Sequence, residues 1–305
     1  MRTYSNYLSD FQSLSQNSSS ANQTFGMRLV NDALRYLVGV FFFNETTYLP
    51  AGGTVASQAA YTLPHDVKQV INVTVTIGSV LWQPVECATR KQYDALNVIQ
   101  FTNNYPQFYY IYNNQLLIWP TPANNGDTIT VHYKKRITDL SQADYTTGTV
   151  SATQTSATVT GSGTTWTTNM AGRWLNIATT NSDTTSGDDS WYQIASVESS
   201  TSLTLNNPYV GQDVTGGSYI IGEVPILPED FQDLPLYRAL MLYFSSTGSG
   251  APNAAQKVAE YKGLYDAGYA QLEAEFGSKT SSVGITPQDY PTVSPNLFQS
   301  NITGP

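Results

Sequence analysis

The segment VTGSGTTWTTNMAGRWLNI, residues 159–177, sets Ser, Thr and Gly around two tryptophans and a single arginine. Trp166 follows a Gly-Ser-Gly turn, where it can stand exposed. In a strand, Trp174 and Asn176 share one face while Leu175 and Ile177 share the other. One reading makes the two rings stacking platforms for a sugar; the other makes them the filling of a small β module. A further tryptophan, Trp191, recurs in SWYQIA. Tryptophans that enter successive short strands each bury a large area, so the core reading is preferred over the ligand reading.

The neighbouring sequence agrees with β structure. TGTVSATQTSATVTGSG (147–163) reads as a hairpin-like pair, GRWLNIA (172–178) and DSWYQIASV (189–197) as strands, and TSLTLN and GSYIIG follow. Strands this short, with turns this frequent, fit a small barrel or sandwich over residues 146–222, placed as an insertion between polar connections. Residues 54–137 are also β in character. YTLPHDVKQVINVTVTIGSVLWQPVE (61–86) carries β-branched alternation, turns at Gly78-Ser79 and returns through Leu81 and Trp82. ATRKQYDALN (88–97) predicts a short helix. QFYYIYNNQLLIWPTPANNGDTITVHYKK (107–135) then gives a strand, an Asn113-Asn114 turn, a strand, a Pro/Gly turn and another strand.

Helical periodicity is confined to the two ends. Tyr4, Tyr7, Leu8, Phe11 and Leu14 form one stripe, and Phe25, Leu29, Ala33, Tyr36, Leu37 and Val40 form a second, with Ser20 and Gln23 at capping-box spacing. ILPEDFQDLPLYRALMLYFSS predicts a helix with Pro228 in its first turn and Glu229, Asp230 and Asp233 at the positive end of its dipole. Its part from Leu236 to Phe244 is apolar almost all round. A last helix carries the stripe Val258, Tyr261, Leu264, Tyr265, Tyr269, Leu272 and Phe276, ended by Gly277. None of these stripes is covered by its neighbour alone, so the expectation is an α+β protein with a four-helix core made from both ends of the chain and β regions inserted between. The expected divisions are 1–45 (helices), 46–145 (β), 146–222 (β-barrel or sandwich insertion), 223–277 (helices) and 278–305, a Pro-, Ser- and Thr-rich tail without period.

Composition narrows the function. Charged residues make up only 12% of the chain, about half the usual share. The net charge is −9, with 14 basic and 23 acidic residues, which disfavours phosphate-driven binding of nucleic acid. The single cysteine, Cys87, excludes an intrachain disulfide framework and reads as a small buried hydrophobe. The longest apolar run, YLVGVFFF (36–43), is too short to cross a membrane, and the N-terminal residues lack a signal-type apolar region. A soluble protein made in the cytosol, with no membrane contact, is expected.

Catalytic chemistry finds little support. The two histidines, His65 and His132, sit in no nucleophile elbow and no metal-ligand spacing, and read as structural. Glu229, Asp230 and Asp233 are the nearest thing to a paired-carboxylate site, but the helix dipole already accounts for them. The loop NSDTTSGDDS (181–190) is rich in oxygen ligands yet lacks the order of a calcium loop. No catalytic residue, metal ligand or cofactor is expected.

The segments VTVTIGSVLWQPVE, YYIYNNQLLIWPTP, GSGTTWTTNMAGRWLNI with its continuation WYQIASVESSTSLTLNNPY, and ILPEDFQDLPLYRALMLYF resemble, in combination and through to LEAEFGSKT, the head-to-tail adaptors (connectors or neck proteins) of tailed bacteriophages. The resemblance implies a non-enzymatic virion protein in the neck between head and tail. It implies a ring, usually twelve-fold, beneath the portal protein and joined to a tail, nozzle or tail-tube protein, with DNA passing through the lumen without specific binding. It further implies that the tail beyond residue 277 grips the portal through Ile285, Tyr290, Val293, Leu297 and Phe298, and that Tyr237, Met241, Phe244 and Tyr265 serve subunit contacts. The rival expectations are another tail or baseplate component that binds host glycans through the 146–222 module, and a peptidoglycan-cleaving virion enzyme.

Overall fold

Strands outnumber helices in this chain. Its computed structural model describes residues 1–41, 45–98, 105–246 and 253–277. Two helices come first, α1 (Tyr4–Ser15) and α2 (Ser20–Val40). Strands β1 (Glu45–Tyr48), β2 (Ala60–Thr62), β3 (Val67–Ile77), β4 (Val80–Trp82) and β5 (Val85–Glu86) lead to α3 (Arg90–Asn97). Then follow β6 (Phe108–Tyr112), β7 (Gln115–Trp119), β8 (Thr128–Lys135), β9 (Thr149–Ala152) and β10 (Thr158–Ser162). Next come β11 (Trp174–Ile177), β12 (Trp191–Ser199), β13 (Ser202–Leu205), β14 (Val214–Gly217) and β15 (Tyr219–Gly222). Helices α4 (Leu234–Ser245) and α5 (Ala254–Phe276) close the described chain.

The helix ends show why these segments coil where they do. Thr3 and Asn6 form a capping box: Asn6 N–H donates to Thr3 Oγ1 at 3.3 Å, and Thr3 N–H donates to Asn6 Oδ1 at 2.9 Å. Helix α2 is capped by Ser19, whose hydroxyl accepts from Asn22 N–H at 3.3 Å, so the Ser20/Gln23 expectation is one residue late. The expected helix from Pro228 is also broken up. Glu229–Phe231 form a single 3₁₀ turn, and α4 starts at Leu234 with Pro235 in its first turn. Asp233 makes no side-chain cap, because it pairs with Arg2 instead.

The expectation of a four-helix core is overturned. The α+β class stands, but the protein is mostly strand, and its helices are gathered on α4 rather than closed into a bundle: α1, α2 and α5 each pack against it. Phe11, Leu34, Leu37, Leu240 and Leu272 lie at the centre of this layer, and Leu140 and Leu227, from connecting segments, complete it. A helical stripe states that a face is buried and is silent on what covers it, which is why part of the cover was missed. One crossing is unusually close: a Cβ on Gly26 would come within 2.3 Å of the Phe11 ring, so α1 lies directly against the glycine of α2.

Residues 45–135 form two four-stranded sheets, in the orders β1-β8-β3-β4 and β2-β7-β6-β5. All pairs are antiparallel except β5 with β6. Asn113 and Asn114, at φ 47° and 58°, make the tight turn that joins β6 to β7. The sheets share one core, in which Val73, Val75, Ile129 and Val131 of the first meet Tyr109, Leu116 and Ile118 of the second. Strand β1 was not anticipated; it pairs with β8 and begins where the second helix was expected to end.

Strands β9 to β15 make one curled sheet, ordered β14-β9-β10-β13-β12-β11-β15. Its concave side holds a third core with Val150, Val159, Leu175, Ile177, Leu203 and Ile221. This is a half-barrel, in place of the closed barrel or two-sheet sandwich expected.

The first residues of the chain tie these regions together. Tyr4 N–H donates to Glu223 O at 3.0 Å, where the seven-stranded sheet ends. Thr3 Oγ1 donates to Asp144 Oδ2 at 2.7 Å, and Asp144 N–H donates to Ser5 Oγ at 3.0 Å. Arg2 N–H donates to Gln232 Oε1 at 2.6 Å while its guanidinium pairs with Asp10 and Asp233. Buried Asn31 of α2 bonds both main-chain groups of Leu140, each at 3.0 Å.

Candidate functional site

Of the two tryptophans of the opening segment, Trp166 fills the half-barrel, while Trp174 in β11 is half-buried and stands outside that core. Trp166 is 3% exposed, its Nε1–H donates to Tyr219 Oη at 3.0 Å, and its ring meets Tyr219 edge-on at 6.0 Å. Tyr219 Oη in turn donates to Thr147 O at 2.6 Å. A glycine of β10 helps make room for it, since a Cβ on Gly161 would stand 2.9 Å from the indole. A ring so enclosed offers no face to a sugar, so the glycan reading loses Trp166 as a platform.

The titratable groups are occupied structurally. Asp188 accepts from Tyr192 Oη at 2.5 Å and from Ser190 N–H at 3.2 Å, and Asp189 accepts from Asn176 Nδ2 at 3.2 Å. Asp188 and Asp189 are therefore engaged in holding the loop to β11 and β12. Burial, reinforced by the charge of Asp188, pushes the Tyr209 phenol up to about 12. Glu229 and Asp233, expected to serve a helix dipole, bind Met1 and Arg2. His65 is exposed in a loop, and His132 lies in β8 beside Asn72 and Thr47. Cys87 is buried, with its thiol pushed up first by burial and then by Glu86. Among the described residues no cluster of His, Cys, Asp and Glu is placed to hold a metal ion.

What remains are surfaces. Of the four residues expected at subunit contacts, Phe244 and Tyr265 are covered within the chain, at 3% and 7% exposure. Phe244 stacks on Tyr261 at 6.0 Å, and Arg238 donates to Tyr265 Oη at 3.3 Å. Tyr237 and Met241 are half-buried on the same helix, and Tyr237 stacks on Tyr261 at 6.5 Å. The expected partner-binding residues Ile285, Tyr290, Val293, Leu297 and Phe298 lie outside the described residues.

The surface that sequence reasoning missed is the edge strand β4. Val80, Leu81 and Trp82 are 56%, 66% and 37% exposed, so the strand shows apolar side chains on both faces. Trp82 meets Tyr105 at 4.6 Å between ring centres, and exposed Val85 begins the edge strand of the second sheet. Natural edges are blunted by charge, proline or cover; β4 carries none of the first two. The available signal was its lack of alternation, three apolar residues in succession after a tight turn. Among the described residues no helix is long and apolar enough to cross a membrane. Residues 2–154 match the model of the SU10 adaptor protein family, and no curated protein matches the chain.

Proposed function

Because this chain belongs to the SU10 adaptor protein family and is a phage structural adaptor, we propose that it works as a head-to-tail adaptor. Copies form a ring, twelve in number, between the portal protein and a tail, nozzle or tail-tube protein, in the neck of the virion. The observation that carries the reading is the open, apolar β4 edge on a chain whose surface otherwise has few charges: it is suited to a permanent protein partner and ill suited to solvent. We assign β4 to the contact with the next virion component, and the half-exposed Tyr237 and Met241 of α4 to contact between copies, with Phe244 and Tyr265 supporting them from beneath. The segment 278–305 clasps the portal through Ile285, Tyr290, Val293, Leu297 and Phe298. Residues 1–45, 46–145, 146–222 and 223–277 are its proposed structural divisions.

The net charge of −9 suits a conduit, since a lumen rich in Lys and Arg would hold DNA back. On this reading the protein does no chemistry. The test is to mix the purified chain with portal rings of the same phage and follow them by size-exclusion chromatography. Co-migration is expected; its absence across a range of salt and pH overturns the assignment.

A further inference from the structure

A cleft of about 480 Å³ opens where the helical layer, the end of β8 and the half-barrel meet. Leu34, Ile137, Trp174, Pro225 and Ile226 give its lining an apolar character. Ile226 is 47% exposed and Trp174 is half-buried, so the cleft holds apolar surface left open to water. Its size falls within the range that accepts a ligand or a few side chains. The rim is basic. Arg136 is exposed, donates Nε–H to Val67 O at 3.2 Å, and meets no carboxylate within 4 Å among the described residues.

The described chain ends beside this cleft. Phe276, the last residue of α5, packs edge-on against Phe231 at 6.1 Å. Pro228, Glu229 and Gln232, on either side of Phe231, line the cleft. The last described turn of α5 therefore packs on a residue whose chain neighbours border the cleft. Residues 278–305 bring spaced apolar residues and only two charged ones, Lys279 and Asp289, the latter next to Tyr290. An extended chain covers up to about 3.3–3.6 Å per residue, so the stretch from Gly277 to Asp289 reaches some 40 Å, ample for a site so near the last turn of α5.

We propose that this cleft is the docking site of the chain's own segment 283–293. Ile285 and Tyr290 enter beside Ile226 and Trp174, and Asp289 pairs with Arg136. The inference goes beyond the adaptor reading and does not rest on it, since no ring or second protein takes part. Should the adaptor reading also hold, the docked segment is the one a portal would draw out.

The experiment uses the full-length chain with Ile226→p-benzoylphenylalanine, irradiated at high dilution and digested for mass spectrometry. The expected main product is a cross-link to residues 283–293 within one chain, at a yield independent of dilution. Absence of that cross-link, or its appearance only between two chains, overturns the proposal. Arg136→Asp is expected to lower the yield at least fivefold, Asp289→Arg likewise, and the two together to restore it. Both sites are outside the cores, and failure of the double variant to restore the link refutes the pairing. A negative result here leaves the portal-binding test untouched, and the reverse holds as well.

Discussion

The half-barrel and the sandwich treat their tryptophans in opposite ways. Trp166 of the half-barrel is enclosed, hydrogen-bonded to Tyr219 and made room for by Gly161. Trp82 of the sandwich stands on an outer strand, leaning on Tyr105, with Leu81 beside it even more open. Both follow glycine-containing turns closely, Trp82 within β4 and Trp166 in the loop after β10. The difference lies in what the neighbouring strand offers. The half-barrel curls so that its sheet covers its own aromatic residues, whereas β4 is the last strand of a sheet and nothing among the described strands pairs with its outer side. A hydrophobic residue in a self-covering sheet is spent on stability, and one on an open edge is kept for another molecule.

Substitution tests this contrast, and the largest effect is expected at Trp166. Trp166→Ala should destabilise the half-barrel by about 3–5 kcal/mol, the usual loss for an enclosed tryptophan, and Trp82→Ala by much less. Urea unfolding monitored by circular dichroism compares them, and equal losses would remove the distinction. A second effect concerns pH. The unfolded phenol of Tyr209 ionises near 10 and the folded one near about 12, so the folded state holds its proton more firmly. The contribution of this one group is therefore full below pH 10 and falls as the pH rises towards 12, by at most about 1.4 kcal/mol per unit. In a series of alkaline melts, Tyr209→Phe should make the decline shallower by that group's share, since Tyr109 and Tyr219 are raised by burial as well, while Tyr105→Phe should leave it in place.

A smaller change is expected in the helical layer. Gly26→Ala gains about 1 kcal/mol of helix propensity but forces a methyl onto the Phe11 ring, an overpacking cost of about 1–3 kcal/mol. The clash wins because Phe11 is fully buried and has nowhere to go, so a lowered melting temperature is expected. The smallest effect on stability belongs to Leu81→Glu with Trp82→Glu. Unfolding should move by no more than about 0.5 kcal/mol, as for ordinary surface changes, whereas capture by the virion partner should weaken tenfold or more. A large loss of stability would show that the edge belongs to the fold rather than to an interface.

Long elements were legible in the sequence because their periods repeat. The stripes of α1, α2 and α5 are written in spacings of three and four, and the hairpins β3–β4 and β6–β7 in alternation with turn residues between. Details inside them went astray for local reasons, as with Leu14, Tyr36 and Val40, which sit on the stripes of α1 and α2 and are exposed. Leu264 was placed on the buried stripe and is 44% exposed, and α4 begins six residues after Pro228 because Glu229–Phe231 prefer a separate 3₁₀ turn. Strands such as β1, β2, β5 and β14 have two to four residues each, too few to show a period, and they exist through partners distant in the chain, as Thr47 opposite His132 illustrates. The architecture failed for the same reason, since the cover supplied to the helices by Leu140 and Leu227 carries no pattern at all. Composition pointed away from catalysis. The open edge at Val80–Trp82 needed the sheet order before its exposure had any meaning.

The contacts of residues 2 to 5 with Asp144, Glu223 and Gln232 bear on how the polypeptide matures while it is being made. A ribosome adds about 5–20 residues each second, so the opening helices emerge on the order of ten seconds or more before the groups that fix them exist. During that interval their greasy stripes face the cytoplasm. Closing so large a loop is slow as well, since distant partners must be found before any reward is collected. The opening helices therefore wait for fixing partners that are made some 140 to 230 residues later.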